Sequence, residues 1–112
     1  MHEATLAEGI LKIALDVAAD NHAKKISAVG LKLGVMSGVE IEALKFSFDV
    51  IKKYTAAENA TLKINLMPIT AECNKCGKTF SVERYNFFCP ECDGILILKS
   101  GRELLVEYVD CE

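Results

Sequence analysis

The sequence predicts an α+β fold: two helices on a small three-stranded sheet, with a four-cysteine ribbon inserted into the domain. Three observations carry this prediction. Two stretches with apolar residues spaced by three and four take turns with two stretches in which apolar residues alternate. From about Ile69 the periodicity breaks into short pieces and cysteines arrive in pairs. The chain then finishes on one more alternating stretch, able to complete the sheet after the excursion.

Residues 4–22 make the first predicted helix, with Leu6, Ile10, Ile13, Ala14, Val17 and Ala18 on one stripe. Thr5 and Glu8 have capping-box spacing, and Glu3 offers a start one turn earlier. His22, Lys24 and Lys25 bring cations to the C-terminal end, where the helix dipole favours them. In residues 26–36, Val29, Leu31, Leu33 and Val35 alternate with Gly30, Lys32 and Gly34, which predicts a strand with one covered face. Ser37 and Glu40 in "SGVE" have the spacing of a second capping box. Behind them Ile41, Leu44, Phe48, Ile51 and Tyr54 predict an amphipathic helix to about residue 55, ended by the loop "AAENA". Leu62, Ile64 and Leu66 alternate in a strand that stops at Pro68. A strand returns around residues 95–98, Ser100-Gly101 marks a turn, and Leu104, Val106 and Tyr108 alternate in the last strand. The predicted domains are residues 1–68 plus 102–112 for the α+β part and residues 69–101 for the ribbon.

Composition excludes several classes. At 51% hydrophobic and 26% charged residues, the 112-residue chain has enough apolar material for a core and is not a disordered segment. Its 13 basic and 16 acidic side chains give a net charge of −3, which argues against nucleic-acid binding. No apolar run approaches the length needed to cross a membrane. The first residues show no basic segment followed by an apolar core, so a cytoplasmic protein with reduced thiols is expected. No nucleophile–base pair, phosphate-binding glycine loop or open-site zinc motif is visible, so no enzymatic activity is predicted.

Cys73, Cys76, Cys89 and Cys92 form C-x2-C-x12-C-x2-C. Two intervening residues let one tight turn present both sulfurs to a single ion, and two such turns complete a tetrahedral Zn(II) site with no open position. A structural zinc is the expected role. A thioredoxin-like redox pair lacks its βαβ surroundings, and an iron–sulfur cluster uses the same four thiolates. Gly77 and Asp93-Gly94 follow the two pairs, where a knuckle's exit commonly needs positive φ. Between residues 69 and 102 five cations stand against four acids, and a zinc tetrathiolate shifts that balance of +1 to about −1. Tyr85, Phe87 and Phe88 are therefore expected to pack on the knuckles rather than to stack on bases. Cys111 lies outside the pattern and reads as a free thiol in a fraying tail.

The start, Met1-His2-Glu3, would ordinarily be a frayed terminus. Its chemistry has a second use. The terminal amine, the His2 imidazole and the amide nitrogens that follow can surround a d⁸ ion with a square of nitrogens, the geometry of Ni(II) or Cu(II).

These features together resemble the HypA/HybF family of hydrogenase nickel-incorporation proteins. The likeness rests on "MHE" at position 1, the helix–strand–helix–strand order, the C-x2-C-x12-C-x2-C that follows and the short final strand. It covers essentially the whole length. The resemblance implies a nickel metallochaperone with two metal sites. Ni(II) would be a transient cargo at Met1, His2 and Glu3, making the α+β domain the nickel-binding one. Structural Zn(II) would sit at Cys73, Cys76, Cys89 and Cys92. The implied partners are a nickel-handling GTPase of the same maturation pathway and the large subunit of [NiFe]-hydrogenase, with urease as a further client. Some relatives link an acid near Glu40 to nickel, but the capping box already accounts for Glu40. Some bring a histidine from the zinc module to nickel, and this chain has none there. His22, the other histidine, is expected at a solvated helix end. A homodimer stays open, including one in which the ribbon is exchanged between chains. The alternative is a zinc-ribbon protein–protein interaction module with no nickel role.

Overall fold

A computed structural model describes residues 2–82 and 86–112. In chain order these form α1 (Glu3–Asp20), β1 (Ile26–Gly34), a 3₁₀ turn (Val35–Ser37), α2 (Ile41–Ile51), β2 (Thr61–Met67), β3 (Thr70–Cys73), β4 (Thr79–Ser81), β5 (Leu96–Ser100) and β6 (Leu104–Cys111). The strands make two three-stranded sheets, ordered β2-β1-β6 and β4-β3-β5. The last strand thus completes the first sheet, as the alternating C-terminal stretch predicts. The second sheet lies inside the cysteine module, where strands of three to five residues are too short to show a period.

The chain divides into two compact units. Unit 1 comprises Met1–Lys32, Gly38–Asn65 and Leu105–Glu112. Unit 2 comprises Leu33–Ser37 and Leu66–Leu104.

In unit 1, α1 buries Ala7, Ile10, Leu11, Ala14 and Ala18, a stripe at steps of three and four, and packs against α2. α2 contributes Leu44 and Phe48, both fully buried. Each such side chain stabilises the fold by roughly 2–3 kcal/mol through apolar burial.

Several sequence expectations need correction here. β1 is covered on both faces through Ala28–Leu31, rather than half-buried. At Gly30 the cover is the ring of Tyr108, which occupies the space a side chain would need: an ideal Cβ would lie 2.0 Å from it. Tyr108 does not continue the buried alternation of Leu104 and Val106, since the burial pattern of β6 changes phase between Glu107 and Tyr108. α1 starts at Glu3 with His2 as N-cap, so Thr5 and Glu8 do not cap it. Its last turn carries no basic residue, and His22 lies beyond the end at φ 54°. α2 stops at Ile51, capped by Lys52, whose N–H donates to the Phe48 carbonyl. Tyr54 is therefore outside the helix, 94% exposed and at φ 64°. The chain end does not fray: the Glu112 N–H donates to Lys25, and the Glu112 carbonyl accepts from Lys24 and Lys25. Cys111 is consequently a half-buried strand residue.

Unit 2 is organised around β3, which pairs antiparallel with β4 and with β5. Its buried cluster is Ile69, Ala71, Cys73, Val82, Cys89 and Leu96. Phe87 packs against this cluster, as expected of an aromatic near the knuckles. Phe88 instead pairs with Ile95 at an isolated bridge and is 72% exposed. Tyr85, grouped with them on sequence, lies outside the described residues.

Candidate metal centre

The end of β3 delivers Cys73, the turn after it delivers Cys76, and the loop closed by the Phe88–Ile95 bridge delivers Cys89 and Cys92. The four sulfurs lie within 4.8 Å of one another. Cys73 and Cys92 are 3.4 Å apart at sulfur, and Cys76 and Cys89 are 3.8 Å apart. A tetrahedron of thiolates about 2.3 Å from one ion has edges of roughly 3.8 Å, so the donor set fits a tetrathiolate centre.

The two knuckles repeat one hydrogen-bond plan. The Cys73 N–H donates to the Lys78 carbonyl at 2.9 Å, and the Cys89 N–H donates to the Gly94 carbonyl at 3.0 Å. Main-chain N–H groups turn inward onto sulfur. Those of Lys75 and Cys76 reach Cys73 Sγ, that of Glu91 reaches Cys89 Sγ, and that of Gly94 reaches Cys92 Sγ, at 3.3–3.5 Å. Such donors stabilise negative sulfur. The Cys76 N–H, aided by Lys75, draws the Cys73 thiol down to about 6. At Cys92 the Gly94 N–H pulls the same way, but the hydrogen bond to Cys73 and burial outweigh it, and the thiol is pushed up to about 12. Thiolate ligands must be deprotonated, so metal binding here releases protons.

Two ion pairs join the knuckles, Lys75 with Asp93 and Lys78 with Glu91, each at 3.0 Å. Asn74 ties the first knuckle to the start of β5: its N–H donates to the Ile95 carbonyl and its Oδ1 accepts from the Ile95 N–H, both at 3.0 Å. Gly77 takes φ +74°, the exit conformation expected of it. Gly94 does not share it, so its need for glycine is not conformational. Asn74, both ion pairs and the steric demand at Gly94 went unpredicted. The opposite charges flanking the cysteines were the available signal for the ion pairs.

The other candidate residues lie in unit 1. His2 is exposed and extended (φ −81°, ψ 120°), with its carbonyl accepting the first helical bond, from Leu6 at 3.0 Å. The amides before Leu6 therefore have no acceptor within the helical ladder. Glu3 begins the helix, and its carboxylate accepts the Glu40 N–H at 3.2 Å. That bond holds the Glu3 carboxyl below its usual range. The "SGVE" capping box does not form: Ser37 ends a 3₁₀ turn, and Glu40 is itself the N-cap of α2, with no side-chain cap bond. Glu3 reaches across from α1 to take the N–H that the box would have used. His22 is exposed in the turn after α1. Met1 lies outside the described residues.

An α+β unit carrying an exposed N-terminal histidine, and a ribbon unit built around a closed four-thiolate centre, define a small metal-handling protein. The family described as "Hydrogenase/urease nickel incorporation, metallochaperone, hypA" matches residues 1–111. The chain belongs to this family. It is 32% identical over 114 residues to the hydrogenase maturation factor HypA of Caldanaerobacter subterraneus, and 38% identical over 113 residues to that of Albidiferax ferrireducens, spanning the whole of each chain. Its fold is similar to the solution structure of the Ni metallochaperone HypA from Helicobacter pylori, with a TM-score of 0.69 and 21% identity over 99% of this chain and 97% of that one. A second HypA solution structure gives a TM-score of 0.76 at 21% identity, covering 100% of this chain and 97% of that one.

Proposed function

We propose that this chain delivers Ni(II) for maturation of [NiFe]-hydrogenase, holding the ion at Met1, His2 and Glu3, while Cys73, Cys76, Cys89 and Cys92 hold one structural zinc. The observation that carries this reading is the family match across residues 1–111, which takes in both groups of residues. Urease is the second client consistent with the family.

The nickel assignment draws support from the start of α1. The His2 side chain is exposed and engaged in no cap bond, so its imidazole is available to an ion. The Glu3 amide stands ahead of the helical ladder, so a metal can replace its proton without breaking a turn. The Glu3 carboxylate is occupied by Glu40, which fits a contribution from Glu3 through its main-chain nitrogen. Nitrogen ligands compete with protons, so acid, or a partner displacing the start of α1, loosens the cargo. Copper should bind such nitrogens more tightly than nickel, so metal choice in the cell falls to supply and docking.

Zinc is assigned from its preference for four thiolates in a closed tetrahedron, where it crosslinks the two knuckles. With no open position and the cargo held by nitrogens, the role is transfer rather than catalysis. The partners we propose are a nickel-handling GTPase and the hydrogenase large subunit, met in the cytoplasm. Among the described residues no helix is long and apolar enough to cross a membrane.

The test is a Ni(II) titration of untagged, zinc-loaded protein beside His2→Ala, following the d–d absorption. One nickel lost with His2, and equally lost when a residue is added before Met1, supports the assignment. Nickel binding indifferent to both changes would sink it and leave a zinc-ribbon interaction module.

A further inference from the structure

We infer that Gly94 is the positioning residue of the cysteine centre, because only a residue without a side chain leaves room for Cys73 and Cys92 to meet there. This rests on the four-thiolate reading of the cysteines. Gly94 is buried and touches three of the four. Its N–H donates to Cys92 Sγ at 3.3 Å, and its carbonyl accepts the Cys89 N–H at 3.0 Å. A Cβ at Gly94 would lie 2.6 Å from Cys73 Sγ, 2.9 Å from Asn74 Oδ1 and 3.2 Å from Cys92 Sγ. Sulfur and carbon do not approach to 2.6 Å without bonding, so something must move.

Neither side can yield freely. Cys73 Sγ is held from behind by the Lys75 and Cys76 N–H groups, both at 3.4 Å. Asn74 and Ile95 are bonded to each other twice, which fixes the first knuckle against the residue that follows Gly94. The clash would therefore separate Cys73 from Cys92, the closer of the two cross-knuckle sulfur pairs. Gly77 has the opposite requirement. It occupies φ +74° with nothing within 4 Å of its would-be Cβ, so it needs a conformation and not a space. Asparagine, which tolerates that conformation, should replace Gly77 but not Gly94.

The test compares wild type, Gly94→Ala and Gly77→Asn in the full chain. Zinc affinity is measured by chelator competition and geometry by the Co(II) absorption bands, with circular dichroism reporting the helices. Gly94→Ala should bind zinc about ten- to a hundredfold more weakly and lose the tetrahedral thiolate pattern of the Co(II) bands, with helices intact. Gly77→Asn should keep the bands. A Gly94→Ala protein with wild-type affinity and bands overturns the inference. A second measurement holds even if Gly94→Ala folds poorly. In a Cys73→Ala background the nearest sulfur is gone, so adding Gly94→Ala should weaken the remaining affinity by clearly less than it does in wild type, the residual loss coming from Asn74 Oδ1 and Cys92 Sγ. The full loss reappearing there also overturns it. If wild-type Co(II) bands show no tetrahedral thiolate centre, the cysteine assignment fails, a result distinct from either.

Discussion

The two units are stabilised by different chemistry. Of the six largest fully buried side chains among the described residues, Phe48, Ile26, Leu31, Leu44 and Val29 belong to unit 1, and Leu33 alone to unit 2. Unit 1 lays two helices on a sheet and buries hydrocarbon between them. Unit 2 has a buried cluster of six residues, of which two are cysteines proposed as metal ligands and one is alanine. So small an apolar core rarely offsets the conformational entropy of the chain it orders, whereas a structural zinc contributes about 10–16 kcal/mol in small metal-folded domains. The difference teaches that loss of metal should be a local event, confined to the unit with the smaller hydrocarbon core.

The largest expected effect follows from removing that metal. Chelation, or Cys89→Ser, should unfold unit 2 and leave α1 and α2 formed, as read by amide chemical shifts. Cooperative loss of both units would contradict the contrast. The converse change is Phe48→Ala, which should cost unit 1 about 3–5 kcal/mol in denaturant titrations while leaving one zinc per chain. Gly30→Ala should cost about 1–3 kcal/mol, because the Tyr108 ring must leave the central strand, and Tyr108→Ser should recover part of that loss. The smallest effect belongs to the exposed cross-knuckle ion pairs. Lys75→Ala should change stability by less than about 1 kcal/mol and leave zinc bound, since solvent screens the pair with Asp93.

What was legible in the sequence was local. The cysteine spacing works within single turns, so two pairs announce a four-sulfur cluster without any tertiary information. The helical period of α1 and the first turns of α2 are repeated signals, and so is the final strand that closes the first sheet, although the buried face of α1 takes in Ala7 and Leu11 and leaves the expected Ile13 exposed. The errors came where a local pattern had a distant competitor. "SGVE" spells a capping box, but the carboxylate that takes the Glu40 N–H comes from Glu3, 37 residues away. Tyr54 continues the spacing of α2, yet the Lys52 side chain donates to the Ala60 carbonyl and Thr55 Oγ1 to the Lys52 carbonyl, folding the chain back first. Tyr108 has the right parity for the core, but β6 changes phase one residue before it. Gly94 looks like a second Gly77, and only the position of the Cys73 sulfur separates their roles.

Both metals can be examined in one sample by X-ray absorption at the zinc and nickel edges of the protein loaded with each. The expected zinc edge shows four sulfurs at about 2.3 Å, and the expected nickel edge shows a planar shell of nitrogen with no sulfur. Sulfur in the nickel shell, or nitrogen in the zinc shell, would contradict the division of labour between the N-terminus and the four cysteines.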